Sequence, residues 1–304
     1  MTNEKRVVVV GIDGSESGQG AFAHAAWEAH RRGCTLRLVH SYRVLSPYAT
    51  MGLALDPAEL TAAAHAAAEL LAGYETRALT AFPELDVDCA VIAGSPGGAL
   101  VDASATAELV VVGSRGLGGF SGLLLGSVGT QLAAHSHAPV IVMRPPDDPG
   151  SLGVGPAHHP VVVGIDGIPD SRAALAFAFD EASARGVPLI ATYAWWMLPP
   201  AGRGPMTPPH YDLVEAEEEA RRLLAEAVAG WGEQYPDVEV TLRPEHSVNP
   251  TVGLLELSRK AGLLVVSRHG GNALTRLLLG SISDVAVREA ECPVAVVPEP
   301  STKD

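Results

Sequence analysis

The chain has 304 residues, of which 47% are hydrophobic and 18% are charged, and these proportions are typical of a folded globular protein. Its 35 acidic and 21 basic residues give a formal charge of −14, and the sequence has no run of Lys or Arg longer than two. Nucleic acids and anionic membranes attract clustered positive charge, so this composition excludes both as the main partner.

The N-terminus and the cysteines indicate a cytoplasmic protein. The apolar run that follows Lys5 and Arg6 is too short for a signal peptide and leads into no small-residue cleavage site. The sequence also lacks an apolar segment of about 18 residues, the length that a transmembrane helix needs. Cys34, Cys89 and Cys292 are odd in number and form no CxxC pair. We therefore expect three buried thiols in a reducing compartment and no disulfide framework.

In chain order, apolar β-branched segments alternate with segments of helical periodicity. The first half has four strand segments before its glycine loop: Val7–Ile12, Leu36–Tyr42, Val87–Ile92 and Leu109–Val112. The second half has four that correspond: Val161–Ile165, Leu189–Trp195, Val238–Leu242 and Leu263–Val266. A last helix and a last strand follow in each half. Strands that alternate with helices, several of them apolar on both faces, predict a parallel sheet covered on both sides.

The helix after the first strand has one apolar face in both halves. The apolar positions are Phe22, Ala25, Ala26 and Ala29 in the first half, and Leu175, Ala178, Phe179 and Ala182 in the second. Their spacing of i, i+3, i+4 and i+7 predicts a helix that packs on a sheet. Gly33 and Gly186 predict where these two helices end, because glycine is common just after a helix C-terminus.

Three sequence markers show that the chain is a tandem duplication. VGIDG contains Asp13 in the first half and Asp166 in the second, 153 residues apart. LLLGSV in the first half corresponds to LLLGSI in the second, and PVIVM corresponds to PVAVV, in the same order. A segment rich in Pro and Gly separates the copies and marks a linker. We predict two domains, residues 1–145 and 158–298, each a five-stranded, doubly wound α/β domain with a parallel sheet.

A glycine-rich loop follows the fourth strand of the first half. Seven of the seventeen residues in Gly113–Gly129 are glycine. A backbone without Cβ atoms can approach an anion closely, and a helix that starts near Gly126 with Ser127 as its N-cap adds a partial positive charge. If the first and fourth strands are neighbours where the strand order reverses, this loop and Asp13 border one crevice. The local chemistry predicts a cradle for phosphate groups.

The loop matches neither common phosphate-binding fingerprint. No G-x-x-x-x-G-K-[ST] occurs, and no G-x-G-x-x-G follows either first strand. The loop instead fits G-x2-G-x9-G-[ST] at Gly113, Gly116, Gly126 and Ser127. Together with VGIDGS, LLLGSVG and PVIV in order, this pattern resembles the universal stress protein family, in its tandem two-domain, ATP-binding type. The resemblance covers nearly the whole chain.

The resemblance implies a Rossmann-like fold of the adenine nucleotide alpha hydrolase kind, with ATP and Mg²⁺ at the switch point. Asp13 would hold the ribose or border the metal, and Val39 would border the adenine. The implied nucleotide contacts in the first half are Gly11, Asp13, Ser15, Val39, Gly113, Arg115, Gly116, Gly126, Ser127 and Val128. Two of them have an equal alternative, because Ser15 can simply cap a helix and Arg115 can simply face solvent.

The second half departs from the family pattern. The resemblance implies contacts at Asp166, Gly270, Gly280, Ser281 and Ile282. However, Ser267 stands where Gly113 stands, and Thr192 stands where Val39 stands. Serine is tolerated at this point if its backbone angles are ordinary, and is strained if φ must be positive. We expect the first half to bind nucleotide. For the second half, the sequence allows either binding or no binding.

The resemblance implies an ATP-binding regulator of a stress response or of dormancy. The alternative is an enzyme, a slow Mg²⁺-dependent ATP hydrolase or nucleotidyl transferase, although no lysine lies in the loop and His40 is expected to be packed and hydrogen-bonded. Family resemblance and the apolar last strands imply that the two halves pair as an internal pseudo-dimer and that chains form a homodimer. A regulator also needs a protein partner, which the sequence does not identify.

Overall fold

The computed structural model describes residues 6–42, 57–116, 125–145, 159–165, 171–195, 213–246, 249–268 and 280–299. The chain divides into two compact units, residues 1–154 and 155–304. In the described ranges, no helix is long and apolar enough to cross a membrane.

The first unit has the predicted α/β architecture. Its strands are β1 (Val7–Gly11), β2 (Thr35–Tyr42), β3 (Val87–Ala93), β4 (Leu109–Gly113) and β5 (Val140–Met143). Its helices are α1 (Glu16–Arg32), α2 (Pro57–Ala81), α3 (Pro96–Ser104) and α4 (Ser127–His135). All the strand pairs are parallel, in the order β3-β2-β1-β4-β5. Because β1 lies between β2 and β4, the strand order reverses there, as predicted.

The central strands of the first unit are apolar because they are covered on both faces. Val8, Val9 and Val10 of β1 are fully buried, and so are Val110 and Val111 of β4. β-branched side chains suit a pleated strand, and burial on both faces removes the polar alternation of an exposed sheet. This explains why β1 and β4 are continuous valine-rich runs, and it fixes the carboxyl ends of these two strands side by side.

Helix α1 packs on the sheet through the predicted face. Phe22, Ala25, Ala26 and Ala29 are all buried. The helix ends at Gly33, which has a φ of +60° and donates its N–H to the last turn. In the second unit Gly186 has a φ of +63° at the corresponding helix end. Both glycines therefore end their helices in the left-handed conformation, as predicted.

The second unit repeats the same order of elements. Its strands are β6 (Val161–Gly164), β7 (Leu189–Trp195), β8 (Val240–His246), β9 (Leu263–Arg268) and β10 (Val294–Pro298). Its helices are α5 (Arg172–Arg185), α6 (Leu213–Val228), α7 (Trp231–Gln234), α8 (Pro250–Ser258) and α9 (Ser281–Glu289). The parallel order is β10-β9-β6-β7-β8, so the reversal falls between β6 and β9. The predicted fold class is confirmed in both units.

Two sequence predictions were wrong in detail. Strand β8 was predicted to begin at Val238, but Val238 belongs to a turn in which its N–H donates to the carbonyl of Tyr235, 3.2 Å away. The strand begins at Val240 and runs to His246 because it pairs along the whole of β7. Cys34 and Cys292 are buried as predicted, but Cys89 is exposed. Cys89 lies on β3, which is paired on one side only within its unit.

Candidate functional site

A cavity of about 480 Å³ opens where β1 and β4 end in the first unit. All ten residues that were predicted for the first half line it: Gly11, Asp13, Ser15, Val39, Gly113, Arg115, Gly116, Gly126, Ser127 and Val128. These residues come from four segments that are far apart in the sequence. The doubly wound topology brings them together at the switch point, where open parallel sheets generally bind ligands.

Asp13 is held in place at the mouth of α1. Its Oδ1 accepts hydrogen bonds from the backbone N–H of Ser15 at 2.9 Å and from the Ser15 hydroxyl at 2.6 Å. The same hydroxyl accepts from the N–H of Gly18 at 3.1 Å, which makes Ser15 the N-cap of α1. The capping role that was one alternative for Ser15 is therefore present, and it fixes the carboxylate at the cavity.

The loop after β4 is tied to the first turn of α1. The hydroxyl of Ser17 donates to the carbonyl oxygen of Arg115, and the N–H of Arg115 donates back to the Ser17 hydroxyl at 3.3 Å. The Ser15 hydroxyl lies 3.2 Å from the same carbonyl oxygen. These bonds fix the backbone of Arg115 while its side chain stays exposed. An exposed guanidinium fits either of the alternatives predicted for it.

Two glycines of the loop are required because neighbouring atoms of the protein lie too close to leave room for a side chain. A Cβ on Gly113 would lie 2.7 Å from the carbonyl carbon of Ser17 and 2.9 Å from the nitrogen of Gly18. A Cβ on Gly116 would lie 2.7 Å from Oδ2 of Asp13. Neither glycine has a positive φ. Their backbone angles would accept another residue, so the constraint at these positions is space.

Helix α4 begins one residue earlier than predicted. Its N-cap is Gly126, with φ −80° and ψ 163°, and Ser127 is its first helical residue. The prediction of Ser127 as N-cap was wrong because the N–H of Gly126 already donates to the carbonyl of Ser114 at 2.7 Å, which sets the helix start. A Cβ on Gly126 would lie 3.5 Å from the carbonyl oxygen of Ser114, its nearest neighbour in the part of the chain that the structure describes. These described residues leave room for a side chain there.

The other half of the cavity is apolar. Val39 and Ile12 are buried, and so are Leu100 of α3 and Val112 of β4, which also line it. The side chain of Leu100 lies against β1 at the cavity: a Cβ added to Gly11 would be only 3.0 Å from Cδ1 of Leu100. Leu100 and Val112 were not predicted from the sequence. In continuous apolar runs no alternation shows which side chain faces a ligand, and α3 joins the site only through tertiary packing.

Two further serines in the lining were also missed. The Ser41 hydroxyl donates to the carbonyl of Gly94 at 2.9 Å at the end of β2. Ser114 is 1% exposed, and its hydroxyl has no hydrogen-bond partner among the residues that the structure describes. Ser114 lies inside the G-x2-G spacing, where the motif specifies no residue type, so the pattern gave no signal for it.

His40 lies beside the cavity but is not part of its lining. Its Nδ1 is 2.6 Å from the carbonyl oxygen of Ile12. This hydrogen bond joins β2 to the residue before Asp13. The prediction that His40 is a packed, hydrogen-bonded residue is confirmed.

The corresponding site of the second unit is much smaller. Its described lining encloses about 40 Å³ and includes Thr192, Ser267 and Ile282. Gly280 is the N-cap of α9, with φ −60° and ψ 150°, and so repeats the geometry of Gly126. Ser267 lies within the extended strand β9, which corresponds to the first of its two alternatives, ordinary backbone angles without strain. Asp166, Gly270 and the side chain of Ser281 lie outside the described residues.

The fold and the site define a class: a tandem, doubly wound α/β protein with a glycine-lined cavity at the switch point of its first unit. The chain belongs to the universal stress protein family, whose sequence model matches residues 5–144 and 158–298. Both copies of the duplication are therefore domains of the same family.

Relatives of similar length support this assignment. A universal stress protein of Mycolicibacterium smegmatis is 36% identical over 301 residues, which cover 95% of this chain and 96% of that protein. One from Mycobacterium tuberculosis is 37% identical over 296 residues, with the same coverage of both chains. The crystal structure of a universal stress protein from Archaeoglobus fulgidus is 18% identical and has a TM-score of 0.70, and the match covers 98% of this chain and 100% of that one. That similarity shows the fold.

Proposed function

We propose that the protein binds ATP with Mg²⁺ in the cavity of its first unit and acts as a nucleotide-dependent regulator of a stress response or of dormancy. The observation that carries the proposal is one cavity of about 480 Å³ with an apolar half and a half lined by the glycines after β4 and by the first turn of α4. Small-molecule sites commonly have volumes of about 300–1,000 Å³. The volume and the division of the lining both suit a mononucleotide.

The apolar half suits an aromatic base. Val39, Leu100 and Val112 are each 3% exposed or less. A flat ring that enters this half would displace water from these apolar side chains. The removal of apolar surface from water favours binding. The contact of Val39 with adenine, first implied by family resemblance, is part of this proposal.

The loop half suits a chain of phosphates. Two helices, α1 and α4, begin at the cavity, and the N-terminal end of a helix carries a partial positive charge and exposed N–H groups. Arg115 adds a full charge that can swing toward the phosphates. The protein as a whole is strongly acidic, so the attraction of an anion to this point has to be local.

Asp13 is a suitable site for Mg²⁺ when phosphates accompany the metal. Among the described residues, no group of three or more His, Cys, Asp or Glu ligands close enough to hold a metal includes Asp13. Mg²⁺ commonly binds through one or two carboxylates together with substrate phosphates and water. Bound there, the metal would neutralise phosphate charge beside the carboxylate. The Ser15 hydrogen bonds to Oδ1 would hold that carboxylate in one orientation.

The lining favours binding over catalysis. Phosphoryl transfer needs a cationic clamp and a group that positions the nucleophile. In the described lining the charged residues are Asp13 and Arg115, with no lysine or histidine. His40 is bonded to a backbone carbonyl. No observation favours the hydrolase or transferase alternative, so we propose that occupancy by ATP, and not its turnover, carries the signal to a protein partner.

The remaining parts of this proposal come from the sequence. They are a cytoplasmic location, an internal pairing of the two halves through their last strands, and a homodimer. Size-exclusion chromatography with light scattering tests the homodimer, because a mass of one chain, 31.5 kDa, across the concentration range would contradict it.

The first experiment identifies the bound molecule and its dependence on Asp13. We expect mass spectrometry to find ATP released from the denatured native protein, and calorimetry on the stripped protein to detect ATP binding that Mg²⁺ strengthens. Asp13→Ala should weaken binding in Mg²⁺ by about tenfold or more, because an ordered carboxylate is lost. Asp13→Asn keeps the shape and should lose mainly the Mg²⁺ dependence. The absence of heat with every purine nucleotide, or rapid ATP turnover that Asp13→Ala abolishes, would refute the proposal.

A further inference from the structure

Two buried hydroxyl groups face the small cavity of the second unit. Thr192 is 1% exposed and Ser267 is 3% exposed, and both line this cavity. In the part of the chain that the structure describes, neither hydroxyl has a hydrogen-bond partner. A buried hydroxyl without a partner destabilises a protein, so such groups normally bond to ordered water or to a ligand. Two of them in one cavity indicate a polar occupant.

We propose that the cavity of the second unit holds ordered water, bound by Thr192 and Ser267, and takes no nucleotide. The chain would then bind one nucleotide, in its first unit. The statement about nucleotide stoichiometry rests on the proposed function. The water site rests on the two hydroxyls alone.

The size of the cavity decides which occupant fits. The second cavity measures about 40 Å³, against about 480 Å³ in the first unit. A water molecule occupies about 30 Å³ in the liquid, whereas small-molecule sites take several hundred. The second cavity can therefore hold one or two water molecules. The space that the described residues enclose is too small for a nucleotide.

The floor of the cavity has also changed its chemistry. Thr192 pairs in register with Gly164 of β6, as Val39 pairs with Gly11 of β1. The apolar surface that suits a base in the first unit thus carries a hydroxyl in the second. A base stacked over Thr192 would bury that hydroxyl against carbon atoms and displace the water that satisfies it, so the exchange is unfavourable.

The entrance for phosphates is altered by two serines. In the first unit, a Cβ at Gly113 would collide with the first turn of α1, whose N-cap is Ser15. In the second unit this position is Ser267, and α5 begins only at Arg172 with Ser171 as its N-cap. By the repeat, Ser171 corresponds to Gly18, so the helix begins three residues further along. In the described lining of the second cavity, no residue of α5 appears.

The second serine fills space at α9. The Ser283 hydroxyl donates to the carbonyl oxygen of Ser267 at 2.7 Å and is buried. The corresponding residue in the first unit is Gly129, which lines the large cavity. A side chain bonded across this point closes part of the volume that is open in the first unit.

Calorimetry on the stripped full-length chain tests the stoichiometry. We expect ATP in Mg²⁺ to bind with one site per chain. Two sites per chain would overturn the inference and leave the proposed function intact. No binding at all would instead overturn the proposed function, and the water site would then be judged by the measurements below.

Mirror substitutions locate the single site. Val39→Thr places the second-unit residue in the first unit and should weaken ATP binding by about tenfold or more. Thr192→Val makes the reverse change and should leave the ATP affinity unchanged. An equal loss of affinity in both variants, or a loss in Thr192→Val alone, would contradict the assignment.

Thermal denaturation and crystallography test the water. Thr192→Val preserves shape and removes only the hydroxyl, so it should lower the Tm if that hydroxyl binds water and raise it if the cavity is dry. A high-resolution crystal structure of the full chain should show water within hydrogen-bond distance of both hydroxyls. A raised Tm, an empty cavity or a nucleotide in that density would each overturn the proposal.

Discussion

At the scale of single residues, the glycines of the first cavity fall into two kinds. Gly113 and Gly116 are small because the protein needs the space, since a Cβ on either would approach another atom of the chain to within 2.7 Å or less. Gly126 is different, because no atom of the described residues lies closer than 3.5 Å to a Cβ there. Packing among the described residues therefore does not require glycine at this position, and the proposed phosphate site gives a testable reason for it.

This difference makes Gly126→Ala the sharpest probe of the phosphate half. The new methyl group meets no atom of the described residues closer than 3.5 Å, and the entropy that alanine removes from the unfolded chain offsets its poorer N-capping, so stability should change little. In the complex it would stand at the N-terminus of α4 beside the phosphates, and ATP affinity should fall by about tenfold or more. Calorimetry measures the affinity, and urea denaturation measures the stability. Gly73→Ala is the matched control, because Gly73 is exposed in α2 and a Cβ there would have no neighbour within 4 Å in the described ranges.

Equal ATP affinity in the Gly126→Ala variant and the wild type would show that the phosphates do not pass this backbone. A large loss of stability would show instead that the residue is small for a structural reason. The two results can be distinguished because calorimetry measures the affinity and urea denaturation measures the stability independently.

Cys34 gives a prediction on pH. Burial raises the pKa of its thiol, against a smaller opposite effect of Arg6. Because the folded pKa lies above the unfolded one, the neutral thiol's contribution is fully present below the unfolded value of about 9 and is lost as the pH rises through the folded pKa. Cys34→Ala should therefore reduce the alkaline loss of stability. Urea denaturation of both proteins between pH 7 and about 10.5 measures it, and parallel curves would refute it.

At the scale of elements, the helix ends are the clearest case of local sequence setting local structure. Gly33 and Gly186 both adopt φ near +60°, and a Cβ on either would meet no atom of the described segments within 4 Å. The constraint at both positions is therefore the backbone conformation and not space. We expect Gly33→Ala and Gly186→Ala to destabilise the protein by about 1 kcal/mol each, because an L side chain is strained in that conformation. Urea denaturation measures the effect.

The control for the helix ends is again Gly73→Ala, which should raise stability by about 0.5–1 kcal/mol because alanine favours a helix interior. ATP affinity should be unchanged in all three variants, since none of the residues lines the cavity. If both helix-end substitutions prove neutral, the left-handed helix ends do not need glycine.

Element order was predictable from the sequence because burial on both faces and helical periodicity leave strong patterns. The start of β8 was not, because Val238 is as apolar as a strand residue and only the turn at Tyr235 excludes it. The site was predictable where a motif names the residue, as at Gly116. Leu100, Ser41 and Ser114 escaped prediction because their place in the cavity depends on tertiary packing, which no local pattern records.

At the scale of the whole molecule, the duplication produced two copies of one fold with unequal cavities. The strand orders are the same in both units. Two of the differences, Thr192 and Ser267, lie at the carboxyl ends of the strands and line the second cavity, whereas the valines of β1 and β6 are buried alike. The buried sheet and the residues that line the cavity are therefore separate sets, so the lining can differ between the copies while the fold stays the same.

This asymmetry predicts how ATP affects unfolding. A ligand that binds only the native state stabilises it by RT ln(1 + [L]/Kd), about 2.7 kcal/mol at 100 times Kd. If only the first unit binds ATP, that energy enters the unfolding of the first unit alone. For a unit of about 150 residues this corresponds to a rise in Tm of about 5–10 °C.

Differential scanning calorimetry of the full chain, with and without Mg²⁺-ATP, measures this effect. If the units unfold separately, one transition should move and the other should stay; Thr192→Val marks the transition of the second unit by shifting it alone. If the units unfold together, ATP should raise the Tm of the single transition. The calorimetric enthalpy converts that rise in Tm into a free energy, which should equal the binding of one ligand per chain. A shift of both separate transitions, or an energy of two ligands, would mean that the second unit also binds ATP.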